Sequence, residues 1–518
     1  MGVVQEFGKL DGVLWSALWA PYKNSKQSLQ TQLRQMLVAS MLDGVLPALT
    51  YLPSTRDLAA ALGISRKTVM IVYQQLLDEG YLCVTPRLGY WVGDVLPTNH
   101  LHLAQGSAAQ TIRDDLPARS SSVDWSRRMS SQLLNQRNID KPSNWRDFAY
   151  PFLYGQFDAK LFPIADWRLC CLRALNLLES YEWGQDMFLR DDPALVQQIR
   201  TRLLPRRGIH ATEQEIIITV GSQQGLFLLA DLFFEAGTRV GIENPGYPDA
   251  RNIFLRRRAD LVPLDVDGEG VVPNERMRDL AYAYVTPSHQ CPTTVTLSMD
   301  RREALLERAK QDNFVVIEDD YETEDGWSEE AVPALKSLDR DGRVIYVGSL
   351  SKSLAPGLRM GFVVAPPEVI KALHALRRLN IRHPNAFGQR TLAMFLSLGH
   401  HNAMLRRLSQ EHAERAAVLV KAMAAQLPDW EIQSTTGGSA LWVKGPPWLN
   451  ARALNEVAQK HGVLIEPGDV FFLDDATGPH RENARYFRMG FTAISESAIE
   501  AGVRALREAA DELRGRPR

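Results

Sequence analysis

The stretch VIYVGSLSKSLAPGLRMGF (344–362) sets Lys352 between two serines just after a strand-like run, with Arg359 seven positions further on. A lysine held in a desolvated position loses part of its preference for the charged form and becomes a nucleophile toward an aldehyde. Ser349, Ser351 and Arg359 carry hydroxyls and a guanidinium suited to an anionic group, most simply a phosphate. An aldehyde and a phosphate on one small molecule describe pyridoxal 5′-phosphate. In VIEDDYETE (316–324), Asp319 follows a strand and could keep a pyridine nitrogen protonated, while Tyr321 could donate to the phenolic oxygen. TVGSQQGLFLL (219–229) puts a Gly-Ser turn between a strand and a helix, so that the helix N-terminus, Ser222 and Gln223 would bind the phosphate. Tyr247 in ENPGYPDA (243–250) offers a ring to stack on the pyridine face. Arg488 in ARYFRMGFT (484–492) suits a bidentate hold on a carboxylate. Each residue alone has an ordinary reading: Lys352 a surface loop, Asp319 a helix cap, Tyr247 core, Arg488 an ion pair. Their joint occurrence at strand ends favours the cofactor.

These residues need a scaffold, and from about residue 146 the chain supplies one. Apolar runs rich in branched residues alternate with helical pattern: EIIITV (215–220), TRVGIE (238–243), AYAYVT (281–286), FVVIED (314–319) and RVIYVG (343–348). That rhythm predicts a large α/β domain with a mainly parallel sheet. Residues 94–145 are polar, low in aromatics and poor in periodicity, as a linker would be.

Residues 24–93 form a different unit. SLQTQLRQMLVASMLDG (28–44) has helical spacing of apolar residues. Ser54 caps a second, short helix with Asp57 as its capping-box partner, and Ser65 opens a third that buries Val69, Val72, Tyr73 and Leu76. YLCVTPRLGYWV (81–92) alternates around the turn PRLG as a β-hairpin. The result is a mostly α, winged helix-turn-helix, whose second helix of the pair enters the major groove of DNA. Arg66 could reach a guanine edge or a phosphate, with Lys67 beside it; Ser65 and Thr68 could donate to phosphates. Ser54 and Arg56 face the backbone from their own helix, and Arg87 and Gly89 form the wing tip. Seven basic residues stand against four acidic ones between positions 22 and 93, a modest local excess. A three-helix protein-interaction module with a solvated basic face is the alternative on pattern alone.

LPSTRDLAAALGISRKTVMIVYQQLLDEGYL (52–82) closely resembles the GntR-type DNA-binding domain, through Pro53, Ser54, Arg56, Leu58, Leu62, Ser65, Arg66, Thr68, Val69, Tyr73, Leu76 and Gly80. The wing keeps only Gly89 of the usual glycine pair. Residues from about 146 onward resemble fold type I aminotransferases in motif set and order, and the two together resemble the MocR subfamily of GntR regulators. The resemblance implies Lys352 as the Schiff-base lysine and Asp319 as the pyridinium partner. It also implies Tyr321 at the phenolic oxygen, Ser222, Gln223, Ser349 and Arg359 at the phosphate, Tyr247 stacking, and Arg488 on an effector carboxylate. It further implies a small C-terminal subdomain from about residue 395, and a homodimer of head-to-tail type. Three departures stand out. Thr294 in SHQCPTT (288–294) replaces a glycine and would hinder the close backbone approach that glycine permits. Cys291 stands where aminotransferases favour an asparagine, which argues against efficient transamination. LRDDPALVQQI (189–199) lacks the glycine and arginine usual at the start of that helix.

The bulk properties agree. At 518 residues the chain should hold two or three domains. Lys plus Arg number 59 against 61 acids, so DNA binding must rest on a local segment. Four cysteines without C-x-x-C or zinc-like spacing suggest free thiols in a reducing compartment and no metal site. With no signal peptide, myristoylation pattern or membrane-length apolar run, the expected location is the cytoplasm. The expected function is a pyridoxal phosphate-dependent transcription regulator binding a double-stranded DNA operator. A small amine or amino acid, or pyridoxal phosphate itself, would modulate that binding. The alternatives are an active aminotransferase with an accessory DNA-binding module, and a DNA-binding protein whose large domain serves only for dimerisation.

Overall fold

The computed structural model describes residues 12–23, 27–85, 89–93, 123–129, 136–322, 332–351, 354–433, 437–473 and 482–515. The chain divides into two compact units, Met1–Met129 and Ser130–Arg518.

In the first unit, helices α1 (Gly12–Trp19), α2 (Leu29–Leu42), α3 (Thr55–Leu62) and α4 (Arg66–Asp78) precede the hairpin β1 (Leu82–Thr85) and β2 (Gly89–Val92). Ser54 caps α3: its hydroxyl accepts from the Asp57 N–H at 3.2 Å and donates to the Asp57 carboxylate at 2.7 Å. Gly63, in the left-handed conformation at φ 67°, ends α3. Ser65 then caps α4 by accepting from the Thr68 N–H at 3.1 Å. Val69, Val72, Tyr73 and Leu76 form the buried stripe of α4. They share one core with Leu33, Met36 and Leu58. Trp15 and Trp19 of α1 are buried in that core too, so the unit begins before position 24, where the sequence pattern alone set its boundary.

The second unit is built on an eight-stranded sheet. Its strands are β3 (Ile216–Thr219), β4 (Arg239–Asn244), β5 (Asp260–Asp267), β6 (Gly270–Val271), β7 (Tyr282–Val285), β8 (Val315–Asp320), β9 (Val344–Ser349) and β10 (Gly361–Val364). The spatial order is β3-β10-β9-β8-β7-β4-β5-β6. The run from β9 through β5 is parallel, and β10 is antiparallel to both β9 and β3. Alternation sends Ile217, Ile317, Ile345, Val347 and Val363 to one face and Ile216, Ile218, Tyr346, Phe362 and Val364 to the other. Helices cover both faces, among them α5 (Gly221–Phe233) and α6 (Pro248–Arg256) on the first. Further on, a four-stranded antiparallel sheet comprises β11 (Glu431–Ile432), β12 (Ala440–Lys444), β13 (Glu466–Pro467) and β14 (Tyr486–Gly490), in the order β11-β12-β14-β13. Helices α7 (His400–Gln426) and α8 (Glu496–Gly515) pack on it through Leu419, Met423, Val503 and Leu506. Among the described residues, no helix is long and apolar enough to cross a membrane.

Candidate functional site

The sheet explains why residues far apart in sequence meet. β3, β4, β7, β8 and β9 all run the same way, so their C-terminal ends lie along one edge, where α/β sheets bind ligands. Those ends deliver Gly221–Gln223, Tyr247, the 288–294 loop, Tyr321 and Ser351. β10 runs back and starts at that edge, which brings in Arg359 just before it.

One end of this edge is a cradle with no space for a side chain at two of its glycines. Gly221 opens α5 at φ 74°, and a Cβ there would stand 2.8 Å from Arg359 Nη2. A Cβ on Gly361 would stand 2.6 Å from the Gly221 carbonyl carbon. The first-turn N–H groups of α5 have no partner within the helix, and Ser222 lies among them with the Arg359 guanidinium against the turn. Ser349 Oγ accepts from the Ser351 N–H at 3.3 Å, which orders the start of the loop after β9. Gln223 Nε2 donates to Asp249 Oδ2 at 3.4 Å, and the Tyr247 hydroxyl donates to the same oxygen at 3.0 Å. Asp249 thus ties the proposed stacking ring to the cradle, a role invisible in its sequence context. Gly221→Ala is expected to weaken cofactor retention about tenfold, since a strained backbone costs about 1–3 kcal/mol. Equilibrium dialysis followed by the visible absorbance of the retained cofactor checks this.

At the other end, strand alternation separates three consecutive buried carboxylates. Asp320 accepts from Arg207 at 2.9 Å and from the Tyr346 hydroxyl at 2.7 Å. Glu318 accepts from the N–H groups of Leu335 and Lys336 at 2.8 and 2.7 Å. Asp319 faces the opposite side, where Oδ2 accepts from the Tyr284 hydroxyl at 2.8 Å and Oδ1 has no hydrogen-bond partner among the described residues. Burial pushes its carboxyl up to about 7, reinforced by Asp320 and Glu243 and opposed by the Tyr284 hydrogen bond. A buried carboxylate with one unsatisfied oxygen fits a protonated pyridine nitrogen. Together with the glycine-lined cradle, it makes these residues a match for pyridoxal phosphate. Tyr284 is a further member that the sequence pattern presented only as part of a strand.

Tyr321 packs against the cluster of Cys291, Trp442 and Phe471. Cys291 is buried beside it, in the position discussed above. Lys352 and Arg87 lie outside the described residues. Thr294 adopts φ 64°, the left-handed region that a β-branched residue rarely enters, which is the physical reason a glycine would suit the position. Thr294→Gly is expected to stabilise the unit by about 1 kcal/mol, measurable by urea unfolding.

Arg488 is buried on β14, directly opposite Glu466 of β13. Its Nε donates to Glu466 Oε2 at 2.7 Å, and its guanidinium carbon lies 4.0 Å from the centre of the Tyr154 ring and 4.8 Å from that of Phe471. The arginine expected to meet an effector is therefore already engaged on one side by a carboxylate of its own chain. The Glu466 partnership follows from strand register, which no local pattern reveals.

In the first unit, the N-termini of α3 and α4 lie side by side: Arg66 Nε donates to Thr55 Oγ1 at 3.4 Å. Ser54, Arg56, Ser65, Arg66 and Lys67 are exposed, and Thr68 is half-buried with its hydroxyl 2.9 Å from that of Ser65. Two helix N-termini and two arginines on one surface suit a phosphate backbone. Gly89 at φ 99° opens β2 beside the wing tip.

Residues 29–92 match the model of bacterial regulatory proteins of the gntR family, and residues 189–506 that of class I and II aminotransferases. The chain is 40% identical over 484 residues to the HTH-type transcriptional regulator TauR of Rhodobacter capsulatus, covering 93% of this chain and 97% of that one. It is 31% identical to the probable rhizopine catabolism regulatory protein MocR of Rhizobium meliloti, over 93% of each chain. Among solved structures, it is similar to the kynurenine aminotransferase of Pyrococcus horikoshii, with a TM-score of 0.67 and 27% identity, over 75% of this chain and 98% of that one.

Proposed function

Given that this chain belongs to the MocR-type transcriptional regulators, in which a gntR-family DNA-binding domain precedes an aminotransferase class I and II domain, we propose that an effector at the aminotransferase-like domain controls its hold on DNA. The fold implies dependence on pyridoxal phosphate and the gntR-family domain implies DNA binding. The observation that carries the reading is the unsatisfied Asp319 oxygen at the same sheet edge as the Gly221–Arg359 cradle.

When bound, pyridoxal phosphate supplies an aldehyde that primary amines engage reversibly. In this reading Lys352 would hold the cofactor through its amine. Asp319 holds the proton on the ring nitrogen, and Tyr321 donates toward the phenolic oxygen. Ser222, Gln223, Ser349, Ser351 and Arg359 bind the phosphate, and Tyr247 covers the ring. Arg488 receives the anionic end of the effector. An amine with preference for one of two states of the protein shifts their balance by its difference in affinity, and no other coupling is required.

A homodimer is part of the reading. The helices Ile164–Ala174 and Leu177–Trp183 leave Leu172, Leu175, Leu177 and Leu178 exposed, Leu178 at 76%, an apolar face that a second copy would cover. Leu178→Asp is expected to shift the sedimenting species toward the monomer.

The test of the cofactor assignment is spectral. The purified chain should show a visible band that borohydride reduction abolishes, and Lys352→Ala should lack it. An identical band in Lys352→Ala overturns the assignment. Turnover of an amino acid with a keto acid above about 1 per second would instead favour a working aminotransferase.

A further inference from the structure

The connection from the DNA-binding unit enters the second unit alongside the effector end of the site. Arg137 donates to the carbonyl oxygens of Asp469 and Phe472. Its own carbonyl accepts from Arg251 Nη2 at 2.9 Å and Asn252 Nδ2 at 3.2 Å, both on α6, the helix that follows Tyr247. Four residues on, Lys141 Nζ donates to the Tyr154 carbonyl and stands 3.3 Å from Glu466 Oε1. Glu466 therefore lies between Lys141 on one oxygen and Arg488 on the other. Both cations also contact the Tyr154 ring, with Lys141 Nζ at 5.7 Å and the Arg488 guanidinium at 4.0 Å from its centre.

This cluster sets Lys141 and Arg488 around Glu466 in a largely buried place, with a second buried carboxylate, Glu322, 3.5 Å from the Tyr154 hydroxyl. Burial lowers the affinity of Lys141 for its proton and Arg488 lowers it further, while Glu466 and, less directly, Asp249 oppose them. Burial also works against the charge of Glu466, yet Arg488 and Lys141 hold its carboxyl below the ordinary value. An added anion placed between the two cations would favour the charged, gripping form of Lys141. There is room for the segment to shift, because a partly open cleft of about 280 Å³ lined by Asn138, Asp140, Pro142, Arg452 and Glu466 lies against it.

We propose that Lys141 is the second cation of the effector's anion site, held beside Arg488 by Glu466, so that an anion bound there also fastens the end of the interdomain connection. The inference rests on the reading of Arg488 as the anion-binding residue and adds two specificity-determining residues to it. The preferred effector is then an amine with an anionic head that offers acceptor oxygens to both cations.

The test uses the full chain loaded with pyridoxal phosphate and, as probe, maleate, a dicarboxylate with no amine. Binding is read from the cofactor's visible band, and the state of the segment from hydrogen–deuterium exchange over residues 136–148. Maleate should slow exchange there in the parent. Lys141→Met should bind it about tenfold more weakly, the loss of one charge-assisted contact, and show no slowing. Lys141→Arg should restore both, which separates lost charge from lost packing and covers the case in which Lys141→Met folds poorly. If Arg488→Ala binds maleate like the parent, or the parent does not bind it, the reading of Arg488 fails and takes this inference with it. If Arg488→Ala loses binding while Lys141→Met keeps both affinity and slowed exchange, the role of Lys141 alone is refuted.

Discussion

Asp319→Asn should weaken pyridoxal phosphate binding about a hundredfold, the equivalent of one buried charge-assisted hydrogen bond of about 2–3 kcal/mol. The amide can still accept from the Tyr284 hydroxyl but brings no charge to a pyridinium. The same substitution should make the cofactor-free chain more stable. In the parent, burial raises the Asp319 carboxyl from 3.8 to about 7, so the native chain binds its proton more tightly than the unfolded one. Its contribution is fully present below the unfolded value, is lost as pH rises toward 7, and leaves a constant penalty above that. Cofactor-free parent protein should therefore lose stability over this window, and Asp319→Asn should show a shallower loss. Above pH 7 the variant should be more stable by about 2 kcal/mol. Glu243 and Glu318, each also pushed up to about 7 chiefly by burial, keep part of the slope in both proteins. Thermal unfolding from about pH 5 to about pH 8, with a cofactor titration at fixed pH, checks both halves. Unchanged cofactor affinity would remove Asp319 from the site.

Arg66→Ala should cost about 1–3 kcal/mol of DNA affinity at each half-site, counted twice in a two-fold dimer. Arg66 is the first residue of α4, it is exposed, and among the described residues its side chain hydrogen-bonds only Thr55, so folding should change by less than about 0.5 kcal/mol. Lys67→Ala, one residue on, should weaken binding evenly across sequences and lower the salt slope by about one. Gln74→Ala, exposed on the same helix and bonded to Asp78, is the neutral control. Fluorescence anisotropy with the DNA upstream of the coding region, at several salt concentrations, separates these outcomes. Parent-like binding by Arg66→Ala would mean that α4 does not read the groove.

What the sequence made legible follows from the range of each signal. The caps Ser54 and Ser65 and the stripe from Val69 to Leu76 are local, spaced by helix geometry, and the structure has them where the pattern placed them. The five apolar runs are the parallel strands β3, β4, β7, β8 and β9, shifted at most by a residue at either end. β5 escaped notice because DLVPLDVD carries a proline and three acids, which its place near the sheet's edge tolerates. α1 escaped because its two buried tryptophans lie before the first amphipathic repeat. Tyr284, Asp249, Glu466 and Lys141 are members of the site only through tertiary pairing. Tyr284 meets Asp319 across adjacent strands, Glu466 meets Arg488 across another pair, and Lys141 reaches Glu466 from more than three hundred residues away in sequence. Spacing along one chain carries no information about such partners.

The central claim is that occupancy at Lys352 is felt by the DNA-binding helix. The direct measurement is the affinity of the full chain for DNA upstream of its coding region, at fixed salt, while amines are titrated and the visible band is recorded on the same samples. An amine that shifts the band should change the parent's DNA affinity by about fivefold or more, the lower range of allosteric coupling, and should leave that of Lys352→Ala unchanged. A band shift with no change in DNA affinity, or an equal response from Lys352→Ala, would contradict the account.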